Sequence, residues 1–372
     1  MWIGVPKEIK PDEYRVGLTP DSVQEFVAHG HDVIVQTGAG EGINCSDEAY
    51  SVCGAEIAAE ATEVFDRSDM IIKVKEPQAI ERKMLKPDQI LFTYLHLAPD
   101  LAQTRNLVDS GAICVAYETV TNDLGGLPLL APMSQVAGRL SIQAGAHALE
   151  KARGGEGILL GGVPGVSPAK VTVIGGGVVG ENAIQIALGM GADVTVLDKN
   201  VGVLTRLAAT FGPSLKTLHS SSAALEELVL QADLVIGAVL VVGAEAPKLV
   251  ISDTVKGMKK GAVLVDVAID QGGCFETSRA TTHENPIYEI DEVIHYCVAN
   301  MPGAVPKTST FALNNVTLPY GLALADKGYK DALLADQNFL RGLNVCKGKV
   351  TCEAVANDTG YEFVEAAIAL KR

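Results

Sequence analysis

One stretch of the chain predicts a strand, a glycine-rich turn, a helix and a second strand in succession. It runs from Lys170 to Asp198 and reads KVTVIGGGVVGENAIQIALGMGADVTVLD. In this arrangement Gly175 allows the tight turn, Gly177 lets a pyrophosphate approach the backbone, and Gly180 lets the helix pack closely on the strand. The helix N-terminus offers unpaired N–H groups to the phosphates. The stretch therefore predicts a Rossmann domain that binds a dinucleotide.

The acidic residue at the end of this stretch indicates which dinucleotide is bound. Asp198 follows the second strand, where a carboxylate accepts hydrogen bonds from the ribose hydroxyls of adenosine and repels a 2′-phosphate. We therefore expect NAD rather than NADP. A three-glycine pattern alone also fits a strand-to-helix turn without a ligand, but the flanking periodicity and the terminal acid favour the dinucleotide.

Length and charge limit the remaining classes. The 372 residues are enough for two domains, and the net charge of -15 argues against nucleic acid or an anionic membrane as partner. The longest apolar run, residues 234–244, is far too short to span a bilayer, and the N-terminus lacks the apolar core of a signal peptide. We expect a cytoplasmic protein. Its seven scattered cysteines lack metal-ligand spacing and predict reduced thiols.

The first half of the chain alternates strand and helix patterns, which is typical of a parallel α/β sheet. Its predicted strands are Trp2 to Pro6, Asp32 to Gln36, Met70 to Val74, Ile90 to Leu95 and Ile113 to Tyr117. Further strands at Leu215 to His219, Leu234 to Val239, Val263 to Val267 and Ile294 to Val298 join the two around the glycine turn. We therefore predict two doubly wound parallel-sheet domains, one a six-stranded Rossmann domain, with a cleft between them.

Three polar residues fall at predicted strand ends in the first half, where such sheets bind ligands. Arg15 follows the first strand, Lys75 ends MIIKVK and His96 ends ILFTYLH. Two cations and an imidazole in an acidic protein predict a site for a small carboxylate. Taken singly, Arg15 also fits a solvated loop charge, Lys75 a surface ion pair with Glu76, and His96 a core histidine.

A predicted helix from Leu129 to Lys151 connects the two domains, and Met133 and Ser134 open it. Ser134 also fits an N-terminal cap. The strand ends of the second domain carry further candidates, which are Ser220, Val239, Leu240, Val267, Asp270, Asn300 and Met301. Asp270 follows a strand of the second half of that sheet and would face the nicotinamide end of the cofactor, although it also fits a turn residue before Gly272.

The chain resembles the bacterial L-alanine dehydrogenase family over nearly its full length. The likeness is carried by IGVPKEIKPDEYRVGLTP, IIKVKEP, LFTYLHLAPD, AYETV, LPLLAPMS, the GGGVVG turn, VDVAIDQGG and VANMPGAVPKTST. This resemblance implies NAD-dependent, reversible oxidative deamination of L-alanine to pyruvate and ammonium by a homohexamer. It also implies a discontinuous substrate domain, residues 1–129 plus 307–372, around an NAD-binding domain, residues 130–306.

The resemblance also implies roles for single residues. Arg15 and Lys75 would hold the substrate carboxylate and carbonyl, His96 would be the acid/base, Asp270 would be catalytic, and Met133 would line the substrate pocket. The implied cofactor contacts are Ser134, Val179, Asp198, Ser220, Val239, Leu240, Val267, Arg279, Asn300 and Met301. Some members of the family bind Mg²⁺ near the glutamate matching Glu118, but the tail here reads LALADKG, and no metal is predicted.

Two other functions fit parts of the pattern. The soluble NAD(H)-binding component of a transhydrogenase belongs to the same superfamily, but it would need a membrane-bound partner, and nothing hydrophobic follows the second domain. A non-catalytic NAD-sensing protein would keep the nucleotide fold, but it has no need for Lys75, His96 and Asp270 together.

Overall fold

The computed structural model describes residues 1–239 and 246–371. The chain divides into two compact units. Unit 1 consists of Met1–Met133 and Val305–Arg372, and unit 2 of Ser134–Ala304. Unit 1 is therefore discontinuous, whereas unit 2 is a single segment. The roles predicted for the two domains stay a prediction at this point.

The regular elements of the described residues alternate between strand and helix along most of the chain. The strands are β1 (Trp2–Val5), β2 (Asp32–Gln36), β3 (Glu56–Ala58), β4 (Met70–Ile72), β5 (Ile90–Thr93), β6 (Ile113–Ala116), β7 (Lys170–Ile174), β8 (Asp193–Asp198), β9 (Leu215–His219), β10 (Leu234–Gly237), β11 (Val263–Asp266), β12 (Ile287–Ile290), β13 (Val293–Tyr296), β14 (Leu343–Cys346) and β15 (Lys349–Val350). The α-helices are α1 (Pro20–Ala28), α2 (Asp47–Val52), α3 (Ala61–Arg67), α4 (Ala79–Arg82), α5 (Leu101–Ser110), α6 (Ala131–Ala148), α7 (Val178–Gly189), α8 (Val201–Phe211), α9 (Ser222–Gln231), α10 (Ser252–Lys256), α11 (Pro306–Lys327), α12 (Tyr329–Ala335), α13 (Gln337–Leu340), α14 (Glu353–Thr359) and α15 (Ala366–Ala369).

The sheet of unit 1 has the order β15-β14-β6-β5-β4-β1-β2-β3. Its first six strands pair in parallel, and their order is that of a doubly wound fold, 3-2-1-4-5-6. Every residue of β4, β5 and β6 is buried, as expected for strands covered on both faces. The order reverses between β1 and β4, so a ligand crevice is expected at the carboxyl ends of these two strands.

The C-terminal segment is an integral part of unit 1. β14 pairs antiparallel with β6 and extends the sheet. On the other side, the Asn314 side chain of α11 accepts a hydrogen bond from the Thr19 backbone N–H at 2.9 Å and donates to the Gly17 carbonyl at 3.2 Å. Unit 1 therefore needs both of its chain segments to complete its sheet and to anchor the loop after Arg15.

Unit 2 contains a seven-stranded sheet in the order β12-β13-β11-β10-β7-β8-β9. The six predicted strands are its parallel ones, and they again follow the order 3-2-1-4-5-6. The seventh strand, β12, pairs antiparallel with β13 at the edge of the sheet. The sequence does not predict β12, because Glu289 interrupts its apolar residues. None of its four residues is fully buried.

Two helix predictions need correction, and one prediction about cysteine is met. The sequence pattern also predicts one helix from Tyr329 to Leu343, but the structure has two short helices there and Leu343 begins β14. The helix is divided because the Asp336 side chain caps a new helix at the Asn338 and Phe339 N–H groups. The long connecting helix runs from Ala131 to Ala148, which is shorter than predicted at both ends. All seven cysteines lie in the described part of the chain, and each is a free thiol.

Candidate active site

The three cationic or imidazole candidates follow the central strands of unit 1. Arg15 follows β1 and Lys75 follows β4, the two strands between which the sheet order reverses, and His96 follows the next strand, β5. The Glu8 carboxylate accepts the Lys75 backbone N–H and its charge acts on Arg15, while the Tyr94 ring stacks on the His96 ring. The fold thus brings the three predicted residues to one region of unit 1.

Arg15 is buried, so the alternative of a solvated loop charge is wrong. Its side chain is 2% exposed, and its Nε and Nη2 atoms donate to the Glu13 carboxylate at 2.6 and 2.5 Å. Nη1 lies 3.1 Å from the Met133 sulfur, which places two of the three predicted substrate residues in contact. Burial by itself would lower the pKa of Arg15, but the hydrogen bonds and the charge of Glu13 raise it. The guanidinium therefore stays charged in an apolar setting.

The loop that carries Lys75 is fixed by a buried group of three charges. The Lys73 ammonium is fully buried between Glu8 Oε2 at 2.9 Å and Glu81 Oε1 at 2.7 Å. Burial would lower the pKa of Lys73, but the two carboxylates raise it. The other oxygen of Glu8 accepts the N–H groups of Val74 at 2.7 Å and Lys75 at 3.2 Å. A buried carboxylate thus sets the backbone of Lys75.

The charge of Lys75 also acts on its neighbour Glu76. Burial would raise the pKa of Glu76, but the ammonium groups of Lys75 and Lys10 lower it. The Glu76 carboxylate forms its ion pair with Lys10. The charge of Lys75 therefore affects the pKa of Glu76, but the ion pair that Glu76 forms is with Lys10.

His96 is exposed, so the alternative of a core histidine is wrong. Its side chain is 45% exposed and its ring stacks on Tyr94 at 5.9 Å, with 7° between the planes. Its φ of +49° lies in the left-handed region, which costs a bulky residue about 1–3 kcal/mol. The Glu118 carboxylate accepts the N–H groups of Leu95 at 3.2 Å and of His96 at 2.6 Å.

Glu118 does not fit a metal ion here. Its carboxylate is occupied by backbone N–H groups, and the residues that the structure describes contain no group of three or more His, Cys, Asp or Glu side chains arranged to hold a metal. The absence of a metal remains a prediction from the sequence.

The glycine turn of unit 2 has the geometry that a dinucleotide needs. Gly175 has a φ of +99°, and a Cβ on Gly180 would lie 1.8 Å from the Gly175 carbonyl oxygen, so both positions require glycine. Gly177 is the N-terminal cap of α7 and a Cβ there would meet nothing within 4 Å. The open space at Gly177, beside the unpaired N–H groups of a helix of twelve residues, fits a pyrophosphate.

Asp198 lies at the end of β8, next to this turn. One carboxylate oxygen accepts the Gly176 N–H and the other accepts the Asn200 N–H, both at 2.7 Å. The Arg206 guanidinium pairs with Glu181 at 2.5 Å and donates to the Gly176 carbonyl at 3.3 Å. Asp198 therefore supports the glycine turn in addition to its predicted contact with ribose.

Several other predicted cofactor residues border the carboxyl edge of the unit 2 sheet. The Ser220 N–H donates to the Asp198 carbonyl at 3.0 Å, and the Val267 N–H donates to the Gly237 carbonyl at 3.0 Å. A Cβ on Gly175 would lie 3.2 Å from Val239, which places Val239 beside the turn. These three residues thus follow β9, β10 and β11 as predicted from strand ends.

The remaining cofactor candidates are more dispersed. Val179 lies in the first turn of α7, Asn300 has a left-handed φ of +61°, and Met301 is buried. The Arg279 guanidinium packs over the Tyr288 ring at 4.2 Å. Ser134 is the fourth residue of α6, so the alternative of an N-terminal cap is wrong. Leu240 lies outside the described residues.

The loop that carries Asp270 is anchored by a second aspartate. Asp270 is exposed in a short turn, Ile269–Gln271, that ends at Gly272 with φ +86°. Asp266 is fully buried and accepts the N–H groups of Cys274 at 2.9 Å and Phe275 at 3.3 Å. It also accepts the Ser278 hydroxyl at 2.5 Å. Burial raises the pKa of Asp266, although these hydrogen bonds oppose that effect.

The sequence does not predict that these carboxylates hold the backbone of the predicted site loops. The sequence marks Glu118 only as the residue that matches a metal-binding glutamate of the family. It assigns no role to Glu8, Glu13 or Asp266. The strand-end rule could have found Asp266 and Glu118, because they end or follow β11 and β6. No signal marks Glu8, whose partner Lys73 is 65 residues away.

Comparison with known proteins places this geometry in a family. Residues 4–137 match the model for the N-terminal domain of alanine dehydrogenase/PNT, and residues 141–353 match the model for its C-terminal domain. The chain belongs to the alanine dehydrogenase/PNT family. As a member it uses a nicotinamide dinucleotide and acts on small molecules.

Three similar proteins illustrate this membership. An alanine dehydrogenase from Halomonas elongata is 60% identical over 367 residues, 99% of each chain. A solved L-alanine dehydrogenase is 50% identical with a TM-score of 0.94, over 97% of this chain and 99% of that one. A transhydrogenase structure from Sinorhizobium meliloti covers 95% of this chain and 100% of its own, at 23% identity and a TM-score of 0.82, which shows the same fold. Among the described residues, no helix has the length and apolar character needed to cross a bilayer.

Proposed function

We propose that this chain is an NAD-dependent L-alanine dehydrogenase. It converts L-alanine, NAD⁺ and water to pyruvate, ammonium, NADH and a proton, and it catalyses the reverse reductive amination. The observation that carries the proposal is the placement of Arg15, Lys75 and His96 after β1, β4 and β5 of unit 1, in a chain 60% identical to an alanine dehydrogenase over 99% of its length.

Unit 1 would bind the amino acid. The guanidinium of Arg15 stays charged beside Glu13, so it can donate charge-assisted hydrogen bonds to the substrate carboxylate. Lys75 would bind the carboxylate and carbonyl oxygens and fix which face of the substrate is presented. Met133, which contacts Arg15, would limit the size of the substrate side chain. One methylene changes selectivity by only about 1–3 kcal/mol, so slow turnover of slightly larger amino acids is expected.

His96 would move the protons. An imidazole can both accept and donate a proton, so His96 can take a proton from the water that attacks the imine carbon and return it to the leaving ammonia. Its exposed ring has room for substrate, and its stacking on Tyr94 limits its rotation. Asp270 would bind the amino group, which loses one proton to solvent before the hydride leaves, and it would stabilise the developing iminium charge.

Unit 2 would bind NAD. When bound, nicotinamide accepts a hydride from the substrate carbon. Gly175, Gly177 and Gly180 would hold the pyrophosphate at the start of α7, and Asp198 would accept the ribose hydroxyls and repel a 2′-phosphate. The other contacts we propose are Ser134, Val179, Ser220, Val239, Leu240, Val267, Asp270, Arg279, Asn300 and Met301.

A spectrophotometric assay tests this function. The purified chain should form NADH from NAD⁺ with L-alanine, and more slowly or not at all with glycine, L-serine, L-2-aminobutyrate and D-alanine. It should consume NADH with pyruvate and ammonium. NAD binding without turnover of any amino acid would favour a sensor. Hydride exchange between bound nucleotides only in the presence of a membrane partner would favour the transhydrogenase component.

We further propose a homohexamer. Six chains of 39.0 kDa give a mass of about 234 kDa, and closed symmetry is the usual arrangement of soluble oligomers. Light scattering coupled to size exclusion should return this mass, and a monomer or dimer would contradict the proposal. The cytoplasmic location stays a prediction from the sequence.

A further inference from the structure

We propose that Glu118 is a positioning residue for His96, which its carboxylate holds in the orientation needed for proton transfer. The inference rests on the proposed alanine dehydrogenase activity and adds a residue to that site. The proposal rests on one observation: the Glu118 carboxylate, which is largely shielded from water, accepts two successive backbone N–H groups, and the second belongs to a histidine in a left-handed conformation.

The hydrogen bonds at this place are directed at the backbone. Glu118 Oε1 accepts the His96 N–H at 2.6 Å, and both carboxylate oxygens lie 3.2 Å from the Leu95 nitrogen. Successive N–H groups that converge in this way form an anion-binding concavity of the backbone. The carboxylate therefore stabilises the left-handed turn at His96, which would otherwise be unfavourable for a bulky residue.

The same oxygen also faces the imidazole. Glu118 Oε1 lies 4.0 Å from His96 Nδ1, so it is next to both the backbone N–H and the ring of one residue. The Glu118 side chain is only 14% exposed, whereas that of His96 is 45% exposed. The anchor is thus shielded from water and the reactive group is accessible, which is the arrangement expected of a support and the side chain it orients.

Rigid neighbours hold Glu118 itself in place. Tyr117 is fully buried, its ring contacts that of Tyr94 at 5.0 Å with 83° between the planes, and its hydroxyl donates to the Lys73 carbonyl at 3.1 Å. On the other side, Thr119 accepts a hydrogen bond from Asn344 of β14 at 2.7 Å. The position of the carboxylate is therefore fixed by β6 and by the C-terminal segment of unit 1.

Two substitutions test this role. Glu118→Ala removes both acceptors, so we expect kcat with L-alanine to fall about 10- to 100-fold, the usual effect of a small displacement of a reacting group. The affinity for NADH should stay within about twofold, since unit 2 is unchanged. Glu118→Gln keeps Oε1 as an acceptor and loses one charge, so its kcat should lie between those of the wild type and Glu118→Ala.

Asp336 supplies a matched control. Its carboxylate also accepts two backbone N–H groups in unit 1, those of Asn338 and Phe339 at 2.8 and 3.2 Å, but it holds no predicted site residue. Asp336→Ala should lower the melting temperature about as much as Glu118→Ala while leaving kcat near the wild-type value. An equal loss of kcat in both variants would mean that Glu118 acts only through stability, and it would overturn the proposal.

A double-mutant cycle with His96 gives the decisive result. If Glu118 acts through His96, then Glu118→Ala should reduce kcat no further in a His96→Ala background. A loss that multiplies in the double variant would refute the proposal. Should Glu118→Ala fail to fold, faster amide hydrogen exchange at His96 together with reduced kcat in Glu118→Gln supports it, and unchanged exchange with unchanged kcat refutes it. Alanine-dependent NADH formation by the wild type separates these outcomes from failure of the proposed function.

Discussion

At the scale of single residues, carboxylates fix the backbone of the predicted functional loops. Four carboxylates each accept at least two backbone N–H groups near a predicted substrate or cofactor residue. These carboxylates belong to Glu8, Glu118, Asp198 and Asp266. Hydrogen bonds to an ionised acceptor are roughly twice as strong as neutral ones. The loops are therefore held by strong local bonds even though the side chains of His96 and Asp270 are exposed.

Asp198 combines such support with a predicted role in cofactor choice, and two substitutions separate them. Asp198→Asn keeps an acceptor oxygen for the turn but removes the charge that repels a 2′-phosphate, so the preference for NAD over NADP should fall about 10- to 100-fold. Asp198→Ala should in addition lower the melting temperature, because the Gly176 N–H loses its partner. Kinetics with both cofactors measure the effect.

The control for this prediction lies at the other end of the same strand. Asp193 begins β8 and pairs with Lys216 on the surface, so Asp193→Asn should leave the cofactor preference unchanged. If the preference of Asp198→Asn also matched that of the wild type, the ribose assignment would be wrong.

The buried His295 of β13 should make unit 2 sensitive to acid. Its Nδ1 lies 3.0 Å from the Val293 carbonyl, which can only accept, so Nδ1 carries the hydrogen and Nε2 accepts from the Thr277 hydroxyl at 2.7 Å. Burial lowers the pKa of His295 below its usual range, although the Val293 hydrogen bond opposes this. The unfolded state therefore binds more protons than the native state below about pH 6.5, and stability falls as the pH falls.

Thermal melts from pH 7.5 to pH 5 measure this dependence. One proton contributes at most about 1.4 kcal/mol per pH unit. His295→Gln should lower the melting temperature at pH 7.5 but make its decline toward pH 5 shallower. His147 is exposed on α6, so His147→Gln should retain the wild-type slope. Parallel slopes for His295→Gln and the wild type would show that another group causes the acid sensitivity.

At the scale of elements, the three glycines of the β7–α7 turn should separate folding from cofactor binding. A Cβ on Gly180 would lie 1.8 Å from the Gly175 carbonyl oxygen, so Gly180→Ala should destabilise unit 2 by about 1–3 kcal/mol or more. A Cβ on Gly177 meets nothing within 4 Å. Gly177→Ala should therefore keep the melting temperature but weaken NADH binding at least about tenfold, because the methyl group occupies space needed by the pyrophosphate.

Gly189 is the matched control, because it ends the same helix and a Cβ there also meets nothing within 4 Å. Gly189→Ala should leave NADH affinity unchanged in a fluorescence titration. Unchanged affinity in Gly177→Ala as well would exclude this turn as the phosphate site.

The element pattern was predictable from the sequence because apolar runs and glycines are local signals. The ends of the strands were less predictable from the sequence. Val74 and Leu95 are fully buried but lie beyond β4 and β5, so the apolar run continues after the strand has ended. The run therefore cannot mark where the site loop begins, although it does place Lys75 and His96 at the correct edge of the sheet.

The supporting residues could not be predicted, because their partners are distant in sequence. Hydropathy does not predict that a lysine such as Lys73 is fully buried. Its buried charge is stable only when the carboxylates of Glu8 and Glu81 pair with it. The left-handed backbone of His96 likewise depends on Glu118, 22 residues away. Local patterns therefore predict Lys75 and His96 as site residues, whereas the groups that hold their backbone become apparent only from three-dimensional pairing.

At the scale of the whole molecule, both units have the same six-strand parallel order with candidates at the point of reversal. Arg15 and Lys75 flank this point in unit 1, and the glycine turn and Val239 flank it in unit 2. The same topological rule therefore accounts for the positions of predicted ligand-binding residues in both units. The units differ in continuity, since β14 and α11 return to complete unit 1.

This difference in continuity predicts that the fragment from Ala131 to Ala304 folds alone. It contains the whole seven-stranded sheet of unit 2 and a separate buried core around Val235, Leu264 and Phe275. The fragment should show a cooperative thermal transition and bind NADH, but it should not turn over L-alanine, because Arg15, Lys75 and His96 are absent. Gly177→Ala within the fragment should weaken NADH binding as in the full chain. A folded fragment that does not bind NADH would instead mean that residues of unit 1 are needed to bind the dinucleotide.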